Sequence, residues 1–473
     1  MSYLRPLSPA VLVLVVAACS SSATHLGGGT PDASGTGTGS GTGSGSGHSN
    51  GSGTGTGAGT GAGTGTGTGS DGGTGTGSGA GHDAGEDAAP GGTTIRIHYP
   101  AGSHAVTLRG ALAPLTWTTG AALTAAGTDT WALTIPALAG PLEYKPLLDD
   151  STWAVGPNYH LTPGQTVDIY PHFVNTTGTV ETLIADFHST VLNNDRVIYA
   201  YLPPSYSENT DAVYPVVYMH DGQNLWAALP QLAFATPWDV DTAFDTASNS
   251  GACSSGGVVG WGAQPLGGTP TTCNGDSDCG TAGQCRTFPE AIVIGVANDA
   301  QRVYEYTPTT DPSEADAGLG AQGGADLYLK MLVTELKPQI DTMLRTRPDV
   351  GSTAMCGSSL GGLVTAYAGL KYPTVYGMVA ELSPSSWWDN DVIVTDVMGT
   401  LAAPNRPTLV YVDSGQGTVD DEADTDMLAS AYLALGYVAG QNFRHVIQPG
   451  AQHSEVYWAE RFPGAMQLIL GAR

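Results

Sequence analysis

The sequence predicts an α/β fold with a largely parallel central sheet, preceded by a small all-β sandwich and, before that, a disordered linker. Three observations carry this expectation. From about residue 174 to the end, apolar strand-like runs alternate with amphipathic stretches, the pattern of helices packed on a parallel sheet. Residues 93–173 hold short runs separated by Gly, Pro and Asp turns with no helical period, as in a sandwich. Residues 20–92 are almost wholly Gly, Thr, Ser and Ala, too poor in apolar surface to offset the entropy of ordering, and so read as a flexible tether.

The start of the chain reads as an export signal. Arg5 supplies a positive flank, residues 11–18 an apolar core too short to span a bilayer, and Val16-Ala17-Ala18-Cys19 a lipobox-like end. Residues 1–19 are then a lipoprotein signal, and Cys19 becomes the lipidated N-terminus. The mature chain would be an exported cell-envelope protein, held to a membrane by its lipid alone. The formal net charge is −27, from 43 acidic and 16 basic residues. A surface this acidic repels phosphate backbones, which argues against a nucleic-acid partner and against a strongly anionic substrate.

In the expected sandwich, Thr94-Ile95-Arg96-Ile97-His98, Ala105-Val106-Thr107-Leu108-Arg109, Trp131-Ala132-Leu133-Thr134-Ile135, Glu143-Tyr144-Lys145-Pro146-Leu147-Leu148 and Thr166-Val167-Asp168-Ile169-Tyr170 read as strands. The stretches GALAPLTW, DTWALTI, LEYKPLLDDSTW and GPNY resemble the glycogen- and starch-binding β-sandwich modules. That resemblance puts the residues that grip a glucan at Trp117, Lys145 and Trp153, while Trp131 reads as core. The other reading is a packing module that shapes the neighbouring active site.

In the larger domain, residues 174–473, strand-like runs fall at residues 196–204, 214–220, 291–296, 354–356, 377–380 and 408–412, with helical spacing at 327–345. Gly357-Ser358-Ser359-Leu360-Gly361 has the G-x-S-x-G spacing of a nucleophile elbow, in which a serine occupies a tight strand-to-helix turn. Gly47-His48-Ser49-Asn50-Gly51 matches the same pattern, but it lies in the Gly/Ser/Thr tract. Only Ser359 has a buried-type strand before it and a packed-type helix after it, so Ser359 is the candidate nucleophile.

A serine hydroxyl needs a base, and the base needs a carboxylate to orient it. Downstream of Ser359 the histidines are His445, inside a strand-like run, and His453, in the loop just past it; His453 is the candidate base. The acid belongs after residue 412, where Asp413, Asp420, Asp421 and Glu422 all qualify. Asp420 and Asp421 both stand before a helix, where an acid could reach His453; Asp420 is preferred, with Asp421 next.

YPVVYMHDGQNLW, WDVDTAFD, IVIGVAN, RVYEYTPT, ELKPQIDTMLRTRPD, CGSSLGGL, SPSSWW and GAQHSEVYWAERFPGAMQLIL resemble the branch of α/β-hydrolases that includes feruloyl and acetyl-xylan esterases, enterochelin esterases and bacterial mycolyltransferases. The resemblance implies an α/β-hydrolase fold and a serine esterase acting on carboxylic esters, with no cofactor or metal expected; the triad order together with the sandwich module makes acyl groups on carbohydrate the expected substrate. It also implies an oxyanion hole built from the backbone N–H groups of Gln223 and Leu360, the donor pair that acyl transfer needs. Asp221, Glu305 and Trp388 would line the pocket, with capping and core packing as the alternatives. A siderophore esterase is the alternative, as is an inactive carbohydrate-binding surface lipoprotein.

An insertion at about residues 248–286 carries Cys253, Cys273, Cys279 and Cys285. In an exported chain these imply two disulfides, of three possible connectivities, and the stapled loop either borders the active-site mouth or is a remote surface decoration. Cys356, in a buried-type strand, is expected to stay an inert thiol.

Overall fold

Short β-branched and apolar runs form an eight-stranded sheet in the computed structural model, which describes residues 92–233, 236–255, 272–315, 323–401 and 406–471. The expected signal with Cys19, the tether before residue 92, and Gly256 to Gly262 of the insertion lie outside the described residues. The strands are β1 (Thr179–Ser189), β2 (Asn194–Leu202), β3 (Val216–Met219), β4 (Ile292–Val296), β5 (Thr353–Ser359), β6 (Met378–Pro384), β7 (Leu409–Gly415) and β8 (Phe443–Gln448). Their spatial order is β1-β2-β4-β3-β5-β6-β7-β8. Strand β2 runs antiparallel to β1 and β4, and all the other pairs are parallel.

The central strands are buried on both faces, as a parallel sheet with helices on either side requires. Along β3, Val216 and Tyr218 join one core cluster while Val217 and Met219 join the other, the two-residue alternation of a strand. The chain is thus an α/β hydrolase-type fold. The helices that matter below are α1 (Val240–Asn249), α2 (Leu360–Lys371), α3 (Glu422–Ala434) and α4 (Glu455–Ile469).

Ahead of this sheet, two smaller sheets share a core of Ile95, Ile97, Leu108, Ile135, Leu142 and Tyr144. All five runs read as strands in the sequence are strands, at Thr93–His98, Val106–Gly110, Thr130–Ile135, Leu142–Leu148 and Thr166–Ile169. The pair docks on the segment after β2. Glu208 accepts the Tyr99 hydroxyl at 3.1 Å and the Phe173 N–H at 2.5 Å, and the Asn209 side chain donates to the His98 and Pro171 carbonyls at 2.9 Å each.

Because β2 is antiparallel to its neighbour, its end lies at the amino edge of the parallel strands. A cavity of about 490 Å³ sits at this junction, lined by Tyr144, Tyr159 and Tyr170 from one side and by Tyr214, Ser352 and Met378 from the other. The sandwich therefore packs at the edge opposite Ser359, which ends β5. It does not shape the active site, contrary to one of the two expectations for it.

The insertion corrects a second expectation. Helix α1 follows β3 and carries the chain back to the amino edge, so the segment between α1 and the start of β4 emerges there. That segment forms a three-stranded sheet closed by Cys253–Cys279 and Cys273–Cys285. It binds the sandwich: the Asp276 N–H donates to Glu143 at 2.8 Å, and His160 pairs with Asp276 at 3.0 Å. The described part of the stapled loop thus braces the domain junction, at the edge opposite Ser359. Replacing either cystine by serines is expected to cost about 2–4 kcal/mol of stability in denaturant unfolding and to leave selectivity across an ester panel unchanged. A shift in selectivity would contradict this placement.

Candidate active site

Strand β5 passes into α2 with no intervening residue, and Ser359 at the junction has φ 57° and ψ −129°. A non-glycine residue there carries strain of order 1–3 kcal/mol, which persists because the neighbours force the turn. A Cβ at Gly357 would lie 2.6 Å from the Gly361 carbonyl oxygen and 2.8 Å from His220 Cδ2, so the first glycine of the motif has no room for a side chain.

Strands β3 and β5 are neighbours with Met219 opposite Cys356. The loops that follow them consequently run side by side, and this brings Gln223 to the edge where Leu360 opens α2. Gln223 is held by its side chain: its Nε2 donates to Asn298 Oδ1 at 2.8 Å, and the Asn298 N–H donates to Gln223 Oε1 at 3.2 Å. Its backbone is thereby fixed in place.

Asp221 has φ 55° and receives both Nε and Nη2 of Arg302, at 2.8 and 2.9 Å. Burial alone would raise its carboxyl; the charge and hydrogen bonds of Arg302 outweigh burial and hold it below the usual range. Asp221 is thus a buttress of the Gln223 loop. His220 beside it is pushed down to about 3 by burial, so its imidazole is neutral, bonded through Nδ1 to the Tyr328 hydroxyl at 2.9 Å.

At the other side of β5, His453 in the loop after β8 meets Asp420 in the loop after β7, with Nδ1 2.6 Å from Asp420 Oδ1. The two loops touch at Gly415, where a Cβ would lie 2.4 Å from the Ala451 carbonyl oxygen and 3.0 Å from Asp420 Oδ2. Burial would raise the Asp420 carboxyl, but hydrogen bonds from His453, Ser383 and the Gly415 N–H hold it below the usual range. The Ser359 hydroxyl lies 3.4 Å from Ser385 Oγ. Among the described residues no hydrogen bond joins this hydroxyl to His453; catalytic hydrogen bonds commonly tighten only in the substrate complex.

The other candidates fall elsewhere. Asp413 is fully buried 2.9 Å from Arg461 Nε, and burial pushes it up to about 6 despite that charge. Asp421 precedes α3 with φ 50°, and burial pushes it too up to about 6. His445 faces Asp426 at 3.8 Å. Cys356 is a buried, unpaired thiol whose pKa burial drives well above the ordinary value.

Glu305 and Trp388 do not line an open pocket, which corrects that expectation. Glu305 is 1% exposed with both oxygens on Arg196, at 2.6 and 3.0 Å, and Trp388 is 0% exposed with its indole N–H on the Thr309 carbonyl. An acid and an indole within a motif that resembles a site look the same in sequence whether they face solvent or an internal partner. On the sandwich, Trp117 and Trp153 are 36% and 39% exposed with ring centroids 6.3 Å apart. Lys145 donates to the Gly156 carbonyl.

Sequence reasoning missed the residues behind Asp420, namely Ser383, Trp458 and Arg461. All three lie in stretches that carried the family resemblance, SPSSWW and EVYWAERF, but no spacing rule marks a residue that acts on another side chain.

The family model described as "Putative esterase" matches residues 189–469, more than half of the 473. The uncharacterised protein YbbA of Bacillus subtilis (strain 168) is 24% identical over 282 residues, which are 59% of this chain and 93% of that protein. The siderophore enterobactin esterase of Emericella nidulans is 33% identical over 102 residues, 20% of this chain and 34% of that protein. Among solved structures, the BES protein from Bacillus cereus is similar at TM-score 0.42 and 18% identity, over 65% of this chain and 99% of that one. A ferulic acid esterase is similar at TM-score 0.39 and 17% identity, over 62% and 98%.

Proposed function

The chain belongs to the "Putative esterase" family and is a carboxylic ester hydrolase, and from that premise we propose that Ser359, His453 and Asp420 are its catalytic triad and that its substrates are acyl esters of carbohydrate. The observation that carries the triad is the His453–Asp420 pair at 2.6 Å on the loops beside the Ser359 turn. On this reading Ser359 Oγ attacks the ester carbonyl while His453 Nε2 takes its proton. Asp420 keeps the Nδ1–H tautomer and stabilises the imidazolium.

The carbonyl electrons move onto oxygen, where the N–H groups of Gln223 and Leu360 meet the developing charge. Collapse breaks the ester bond, and His453 returns the proton to the leaving alcohol. Water, deprotonated by His453, then attacks the acyl-enzyme, and the acid leaves as Ser359 regains its proton.

The carbohydrate part of the reading is supported by the exposed Trp117–Trp153 pair, since tryptophan faces suit sugar rings. Because the sandwich packs at the edge opposite Ser359, it would hold the enzyme on a polymer without feeding the pocket. Replacing Trp117 and Trp153 together by alanine should therefore slow deacylation of insoluble polysaccharide esters several-fold and leave p-nitrophenyl acetate turnover unchanged. Equal rates on the polymer would remove the carbohydrate reading. A siderophore ester remains the second reading, favoured by the similarity to the Emericella nidulans enzyme, and a panel of acetyl, feruloyl and catecholate esters separates the two.

A further inference from the structure

We propose that Ser383, together with Trp458 and Arg461, positions the Asp420 carboxylate and through it the His453 imidazole. This rests on the triad reading above. Pairing of β5 with β6 steps from Ser358 opposite Leu382 to Ser359 opposite Pro384, which leaves Ser383 as an extra, bulged residue. Its φ is 39°, a conformation that an L-residue adopts only when its surroundings enforce it. Bulges re-aim a side chain, and here the re-aimed hydroxyl meets three groups at once.

Those three groups determine where its proton lies. Trp458 Nε1 is 3.0 Å away and Arg461 Nη2 is 2.6 Å away, and both can only donate. A hydroxyl has two acceptor sites and one donor, so with both acceptor sites filled its single proton must go to Asp420 Oδ2, 2.7 Å away. Asp420 Oδ2 also accepts the Gly415 N–H. Oδ1 is left facing His453 Nδ1, the orientation that keeps the imidazole in the tautomer whose Nε2 can take a proton.

The donors are themselves anchored. Arg461 is 2% exposed; its Nη1 donates to Gln448 Oε1 at 3.0 Å and its Nε lies 2.9 Å from Asp413 Oδ1, which also accepts the Ser383 N–H at 3.1 Å. Asp413, an acid candidate by sequence, thus balances the charge of the arginine that holds Ser383. Trp458 braces the imidazole as well, since its ring stands edge-on to His453 with centroids 5.0 Å apart at 88°. Ser383 is 2% exposed and would touch no substrate, so its effect must travel through Asp420.

Ser383→Ala tests this. Turnover of p-nitrophenyl acetate per fluorophosphonate-titrated site should fall about 10–100-fold, by analogy with residues that orient metal ligands, with KM unchanged. The probe should still react to completion, only more slowly. Wild-type turnover per titrated site, or a loss that vanishes once inactive protein is discounted, would overturn the proposal.

If Ser383→Ala fails to fold, Trp458→Phe decides. It keeps a ring against His453 and removes the indole N–H, so a smaller fall in turnover with unchanged KM is expected, and none would overturn the proposal. Arg461→Lys should also be impaired, because lysine keeps the charge beside Asp413 but loses the planar fork. A Ser359→Ala variant run in parallel separates the two levels. If it stays active the triad reading fails; if it is dead while Ser383→Ala matches wild type, only the positioning role fails.

Discussion

Ser359→Ala is expected to lower ester turnover by about three orders of magnitude or more. The methyl group fills the same turn, so the φ of 57° and the fit of Gly357 against Gly361 are undisturbed and the melting temperature should hardly move. On the proposed mechanism, what is lost is the route to an acyl-enzyme. A residual rate above that of water is expected if the Gln223 and Leu360 N–H groups form the proposed oxyanion hole. Steady-state kinetics on p-nitrophenyl acetate measure the loss, and a variant within tenfold of wild type would exclude Ser359 as nucleophile.

Asp420→Asn is expected to reduce turnover by about 10⁴-fold. The amide is nearly isosteric, so the hydrogen bonds from Ser383 and Gly415 have room to persist on its oxygen. The NH₂ would then face His453 and donate to Nδ1, which forces the imidazole proton onto Nε2. That nitrogen could no longer accept a proton from Ser359.

The same change at the other two acids separates orientation from background charge. Asp421→Asn should leave turnover within a few-fold. Asp413→Asn uncouples a buried charge from Arg461 and should cost about 3–5 kcal/mol of stability, with a loss of turnover far smaller than at Asp420. Activity and denaturant unfolding of the three variants give the ranking; Asp413 or Asp421 as the most damaging site would transfer the role of the acid.

The fold was legible because burial leaves a period in the sequence. VVYM at β3 and IVIGV at β4 are apolar throughout, as strands covered on both faces must be, and Ser359 was marked by glycines that a tight turn requires. The pairing of His453 with Asp420 was only half legible. Chain order named the histidine, but four acids within ten residues could each have met it, and the choice depends on how the loop after β7 folds back through Gly415.

Placement across the sheet was the least legible feature. The insertion leaves the domain between two strands, and sequence does not say from which edge; helix α1, by running back along the sheet, settles it at the amino edge. Glu305 and Trp388 failed for a related reason. Arg196, the partner that buries Glu305, is 109 residues away in the chain, and nothing local indicates the ion pair. Ser383 was hidden because a bulge is a register event between two strands, visible only once β5 and β6 are paired.

Reaction with a fluorophosphonate, followed by mass mapping of the labelled peptide, identifies the nucleophile, since the probe attaches only to a serine whose proton is being removed. Stoichiometric labelling is expected on the peptide containing Ser359, with labelling abolished in His453→Ala. An unlabelled native protein, or a label on any other residue, would contradict it.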